Sequence, residues 1–133
     1  MKAHLTIFAA ALGLLAAAPA IAHHSVDAEF DRTKPVEVKG TVTKVEWMNP
    51  HIWIYLDVKD ANGKIAKWQF EGGAPNSLRR NGVKRSALKE GDTITIKGVM
   101  AKAGANTGHA STVTFADGHS AFARDPGETN SNR

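Results

Sequence analysis

Cysteine is absent from all 133 residues, so no disulfide braces this chain and no thiolate can act as nucleophile or metal ligand. Any metal site must come from histidine, carboxylates, methionine or a free amino terminus. Runs of basic charge are scarce as well. Seventeen Lys and Arg face 13 Asp and Glu, and only Arg79-Arg80 and Lys84-Arg85 cluster. A mild, scattered positive balance argues for solubility and against a nucleic-acid partner. Enzyme signatures are missing too. There is no serine in a nucleophile elbow, no HExxH, no phosphate loop and no dinucleotide fingerprint. A lone histidine among scattered acids makes no triad. The expectation is a non-enzymatic protein.

Long apolar runs are limited to one, at the start. Met1-Lys2 supplies a positive end, Leu5 to Ala18 is apolar, Pro19 breaks it, and Ala20-Ile21-Ala22 offers small residues for cleavage. That is the layout of a secretory signal. The apolar run is about 14 residues, short of the roughly 20 a spanning helix needs. Residues 1–22 therefore read as a signal peptide, and the remainder as a periplasmic protein with no membrane span of its own. Lys2 leaves with the signal, so 16 cations then face 13 carboxylates, a net charge of +3. The remaining chain has the size of one ordinary domain.

Residues 23–35 are polar and acidic at Asp27, Glu29 and Asp31, and read as an extended N-terminal arm. From Val36 the pattern is β. Val36, Val38, Gly40 and Val42 share one parity while Val45 and Trp47 take the other, which predicts a long strand bulged near Thr43-Lys44. Asn49-Pro50 marks a turn. His51–Val58 reads as a second strand, with Ile52, Ile54, Leu56 and Val58 on one face and His51, Trp53, Tyr55 and Asp57 on the other. A hairpin turn at 60–63 leads to a third strand, 64–71, with Ala66, Trp68 and Phe70 inward. A short helix over 76–81, N-capped by Asn76 and ended by Gly82, precedes strands over 93–101, 109–115 and 120–123. Residues 124–133 read as a disordered tail. The order predicts an all-β fold with small α content. It is an OB-like antiparallel barrel of five to six strands over 36–123, with the one short helix between strands 3 and 4. A plain six-stranded sandwich is the alternative.

Cleavage after Ala22 would give the mature chain a free amino-terminal His23, followed by His24. The amine and ring nitrogen of His23 can chelate one ion, and a further histidine completes a T-shaped nitrogen set that suits Cu(II). Cleavage after Ala20 would instead leave His23 in third place, also a copper-chelating start. His51 is the expected third ligand, making His23, His24 and His51 the candidate metal site and copper the candidate cofactor. Trp47, Asn49, His51, Trp53, Tyr55 and Gln69 form the candidate ligand face, because strands two and three carry the ligand face of OB barrels. A metal-free module binding a peptide, glycan or periplasmic protein partner on the Trp53/Tyr55 face is the alternative function. His109 and His119 read as surface histidines.

The residues His23-His24-Ser25, Glu29-Phe30-Asp31, Lys34-Pro35-Val36, Thr43–Trp47 and Asn49-Pro50-His51 carry a resemblance. So do Trp53–Val58, Trp68–Glu71, Pro75-Asn76, Leu78-Arg79-Arg80 and Leu88–Asp92. Together they resemble the bacterial domain-of-unknown-function family six-one-five-two, made of small exported proteins. Val26 departs from that pattern, where an aromatic is usual. The resemblance implies export and a His-His-Ser mature start, and no activity.

Overall fold

A computed structural model describes residues 26–121. The expected signal, His23, His24 and the expected tail from 124 lie outside them. A short helical turn, α1 (Val26–Glu29), runs directly into β1 (Phe30–Glu46). Then follow β2 (Trp53–Lys59), β3 (Ile65–Glu71), α2 (Pro75–Arg80), a 3-10 turn (Arg85–Ala87), β4 (Thr93–Ala101), β5 (Thr107–Phe115) and the two-residue β6 (Ser120–Ala121).

β1 serves two neighbours. Its first part pairs antiparallel with β4, from Phe30↔Ala101 to Thr41↔Thr93, and its end pairs with β2, from Thr41↔Asp57 to Glu46↔Trp53. The register slips between Val42 and Lys44, so Thr43 is the extra residue at which the strand bends from one half of the sheet to the other. Strand order is β3-β2-β1-β4-β5-β6, and a parallel β3–β5 pairing over Gln69–Glu71 and Thr107–His109 closes the ring. The fold is therefore mostly β, a closed ring with one short helix between β3 and β4, as the sequence pattern predicts.

Alternation decides what the ring encloses. Val42, Ile52, Ile54, Leu56, Phe70, Ile94, Ile96 and Val113 are at most 1 % exposed and fill the interior. Leu78 of α2 and Leu88 join the same core. Among the described residues, every buried hydrophobic lies between Phe30 and Val113. Asp60 accepts amide hydrogen bonds from Asn62 (2.8 Å) and Lys64 (2.9 Å), which ties the β2–β3 hairpin. Gly63 supplies the φ of +81° that the turn needs.

Several boundaries shift. β2 starts at Trp53 instead of His51, so His51 and Ile52 precede the strand. β1 starts at Phe30 instead of Val36, absorbing half of the supposed arm into the sheet. β5 starts at Thr107, two residues earlier than expected. α2 starts at Pro75 with Ala74 as its N-cap, because proline's fixed φ suits the first helical position. Asn76 is no cap, and its side chain instead accepts a hydrogen bond from Arg79 (3.0 Å).

Candidate functional site

One outward-facing row crosses the seam where the ring closes. Trp53 is paired with Glu46 on one side and Glu71 on the other, and Glu71 is paired with His109. Paired residues point to the same face of a sheet, so these side chains share the surface opposite Phe70. An outer face is normally wet, yet Glu71 is only 9 % and His109 only 7 % exposed. Part of the cover is Phe30, 3 % exposed, whose ring meets His109 edge-on at 5.3 Å with planes 67° apart. Phe30 is buried on this side and is not part of the inner core.

His51 reaches the row through a backbone clasp. The Ile52 amide donates to the Gly73 carbonyl (3.1 Å), and the Gly72 amide donates to the Ile52 carbonyl (2.8 Å). Ile52 plugs the core, so its neighbour His51 faces outward beside Glu71. A Cβ on Gly72 would sit 2.7 Å from Ile52 Cγ1, so glycine is what allows this approach. His51 Nδ1 lies in close contact with Glu71 Oε1. With Nδ1 engaged, Nε2 is the ring atom left to meet a ligand. The His51 side chain is 32 % exposed, open enough for that.

The next row holds Lys44, Tyr55, Gln69 and Thr107. The Tyr55 hydroxyl donates to Glu46 (2.8 Å), Lys44 pairs with Glu46, and the Lys44 ammonium lies 5.5 Å from the Tyr55 ring centre. The Lys44 ammonium, then the Tyr55 hydroxyl, hold the Glu46 carboxyl below its ordinary range. Burial, then the bond to Glu46, push the Tyr55 hydroxyl up. Gln69 Nε2 donates to Thr107 Oγ1 (3.2 Å). Beside Trp53 lies a hollow of about 350 Å³, walled by Ala28, Glu29 and Phe30 from the start of the chain and by Ala101, Lys102 and Thr107 opposite.

Of the expected ligand face, the structure brings His51, Trp53, Tyr55 and Gln69 to one side. Trp47 is elsewhere: it packs against the inner core and, with Val45, Arg85, Leu88 and Glu90, walls a separate shallow hollow. Asn49 is exposed in the β1–β2 loop. His119 is exposed and stacked on Phe115 at 4.4 Å, as a surface histidine should be. His109, expected at the surface, is buried instead, because β3 and Phe30 cover it. Glu71, His109 and Phe30 are the site residues that sequence reasoning passed over. His23 and His24 lie outside the described residues. Among the described residues, no group of three or more His, Asp or Glu is placed to hold a metal ion, and no helix is long and apolar enough to cross a membrane.

A family profile described as a family of unknown function (DUF6152) matches residues 12–112. No curated protein matches the chain. Among solved structures, one similar chain is the mitochondrial single-stranded DNA binding protein Rim1 of S. cerevisiae. It has 6% identity and a TM-score of 0.49, and the match covers 65% of this chain and 94% of that one. That finding corrects one expectation. Scattered basic charge was read as excluding a nucleic-acid partner, but the matched chain is a DNA-binding protein, so the exclusion does not stand. The likeness says nothing more about what this chain binds.

Proposed function

We propose a binding role for this chain, which belongs to DUF6152, a family of unknown function: it is an exported module that holds Cu(II) between its mature amino terminus and His51. The observation that carries this reading is the His51–Glu71 contact. A histidine that ligates a metal through one ring nitrogen characteristically gives the other to a carboxylate, which fixes tautomer and orientation. Glu71 stands against Nδ1 of His51 in this way, which leaves Nε2 for a metal.

The start of the chain supports the same reading. Ala28, Glu29 and Phe30 lie alongside Trp53, and Trp53 is the strand partner of Glu71. His23 is three residues before Val26, a span of at most about 10 Å of extended chain. The amine and ring of His23 would chelate one ion, His51 Nε2 would complete a nitrogen set, and His24 is the alternative second ring. Three nitrogen donors in a planar arrangement favour Cu(II) over the other common divalent ions.

The test is Cu(II) titration of protein beginning at His23, read by EPR and by competition with a chelator. Sub-micromolar binding with a nitrogen-rich spectrum is the expected result. One extra residue before His23 removes the chelating geometry and should abolish that binding. Glu71→Gln should weaken it by about 10- to 100-fold. Affinity that survives both the extension and His51→Ala would overturn the reading. Intact mass of protein recovered from the periplasm tests the cleavage at His23.

A second reading rests on the hollow of about 350 Å³ beside Trp53. Its aromatic wall and flanking Lys102 and Glu29 suit a small organic ligand or a peptide side chain in a metal-free interaction module.

A further inference from the structure

The segment from Arg79 to Lys89 has a charge pattern unlike the rest of the chain. Arg79, Arg80, Lys84, Arg85 and Lys89 are all exposed, and among the described residues no salt bridge joins any of them to a carboxylate. Elsewhere, Arg32, Lys34, Lys44, Lys67 and Lys97 have an acidic partner within 4 Å, and Lys39, Lys59, Lys64 and Lys102, which form no salt bridge among the described residues, stand apart from one another in sequence. Arg79 and Arg80 direct their guanidinium groups to Asn76 and Ser77 of α2, neutral acceptors that leave the positive charge uncompensated. Arg79 and Arg80 sit on α2, Arg85 opens the 3-10 turn, and Lys84 and Lys89 flank that turn.

An apolar feature adjoins them. Met48 is 49 % exposed, one of two large apolar side chains so placed among the described residues. It follows Trp47, and Trp47 and Arg85, with Glu90 as the one acid, wall the same shallow hollow of about 190 Å³. An uncompensated basic cluster around an exposed, flexible apolar side chain matches an anionic membrane surface. Phosphate headgroups meet the cations while the thioether enters the acyl boundary. A nucleic acid would use the charges but has no use for an exposed Met48. Trp47, packed on the core, is not a free stacking platform.

We propose that this segment, with Met48, docks the protein on an anionic lipid surface. The contact is peripheral and electrostatic, and it leaves the Trp53–His51 face untouched. It is independent of the copper reading, so either can fail alone.

The experiment is co-sedimentation of protein starting at His23, which lacks the apolar leader, with phosphatidylglycerol–phosphatidylcholine vesicles and with phosphatidylcholine alone. Binding to the anionic vesicles only, weakened by salt, is expected. Each cation near such a surface contributes about fivefold in affinity, so Arg79→Gln with Arg80→Gln should lower binding about 25-fold. Met48→Ser, at unchanged charge, should lower it about tenfold. Lys39→Gln with Lys64→Gln removes the same charge from exposed sites elsewhere and should change affinity less than about twofold. All these side chains are exposed, and unchanged melting curves will show that the variants fold. An equal loss in the Lys39/Lys64 control would overturn the proposal by reducing it to net charge. So would absence of anionic-vesicle binding, or binding of a single-stranded oligonucleotide that the Arg79/Arg80 variant loses while vesicles do not bind.

Discussion

Gly98 lies on β4 opposite a β-bulge of β5, where Ser111 is the extra residue between the Lys97↔Thr112 and Gly98↔Ala110 pairs. A Cβ at this position would lie 1.8 Å from the His109 carbonyl oxygen and 2.9 Å from its carbonyl carbon. Close carbon–oxygen contacts between strands run at about 3.3 Å or more, so Gly98→Ala must push the two strands apart by about 1.5 Å. The obstacle is backbone, which cannot rotate aside as a side chain would. Overpacking of this kind costs about 1–3 kcal/mol, and a broken ladder hydrogen bond adds about 1 kcal/mol. We expect Gly98→Ala to lose about 3 kcal/mol, which for a domain of this size lowers Tm by about 12–24 °C. Gly63→Ala is the comparison, because nothing lies within 4 Å of a Cβ there and only its φ of +81° resists. That substitution should cost about 1 kcal/mol. Urea unfolding followed by tryptophan fluorescence, with a thermal melt, measures both. A Gly98→Ala protein melting within about 5 °C of the parent would refute the close approach of β4 and β5.

Two other outcomes follow from the outer face. Tyr55 is the only tyrosine, so tyrosinate absorbance reports on it alone. Its ionisation midpoint should lie above the ordinary value of 10.0, and Glu46→Gln should bring it part of the way back, since burial remains. The raised value favours the folded state while the hydroxyl is protonated. That contribution is whole below pH about 10 and is lost as pH rises through the folded-state midpoint. Glu46, held low, contributes in the opposite sense: its share is present above the ordinary carboxylate range and disappears as pH falls through its folded value. Phe30→Ala should cost about 3 kcal/mol in denaturant unfolding, because a buried phenylalanine is lost and His109 is uncovered. A cost below about 1 kcal/mol would mean that the start of β1 is dispensable.

Side-chain parity made much of the ring readable. The switch after Val42 located the bulge at Thr43, and alternation through 52–56 separated the core from the outer face. The same parity pairs Trp47 with Val45, so its place beside the core was legible, but its neighbours in the Asn-Pro-His stretch drew it onto the ligand face. Phe30 was hidden by Asp27, Glu29 and Asp31, whose charges make a solvated arm the natural reading of a segment that in fact starts a strand. His109 could not be read locally at all. Its burial comes from a parallel pairing with β3, and no sequence pattern says which distant strand will close a ring. Glu71 shares a parity with Lys67 and Gln69, so its side was foreseeable while its enclosure was not.

The closing seam also bears on how and when the site comes into being. Glu71 and His109 meet across three residue pairs of β3 and β5, with Gln69 and Thr107 bonded over a separation of 38 residues. Drawing together ends that far apart costs about 3 kcal/mol in chain entropy, and the return from so short a ladder is small. Such a contact forms after the antiparallel hairpins and is the first to open when the folded protein fluctuates. Amide hydrogen exchange at Gln69, whose N–H is bonded to the Asn106 carbonyl (3.0 Å), would then run faster than at Ile54 or Ile96 in the centre of the sheet. Anything that grips both sides of the row would slow it. The exchange rate of a single amide thus becomes a reporter of ligand capture, readable before the ligand itself is known.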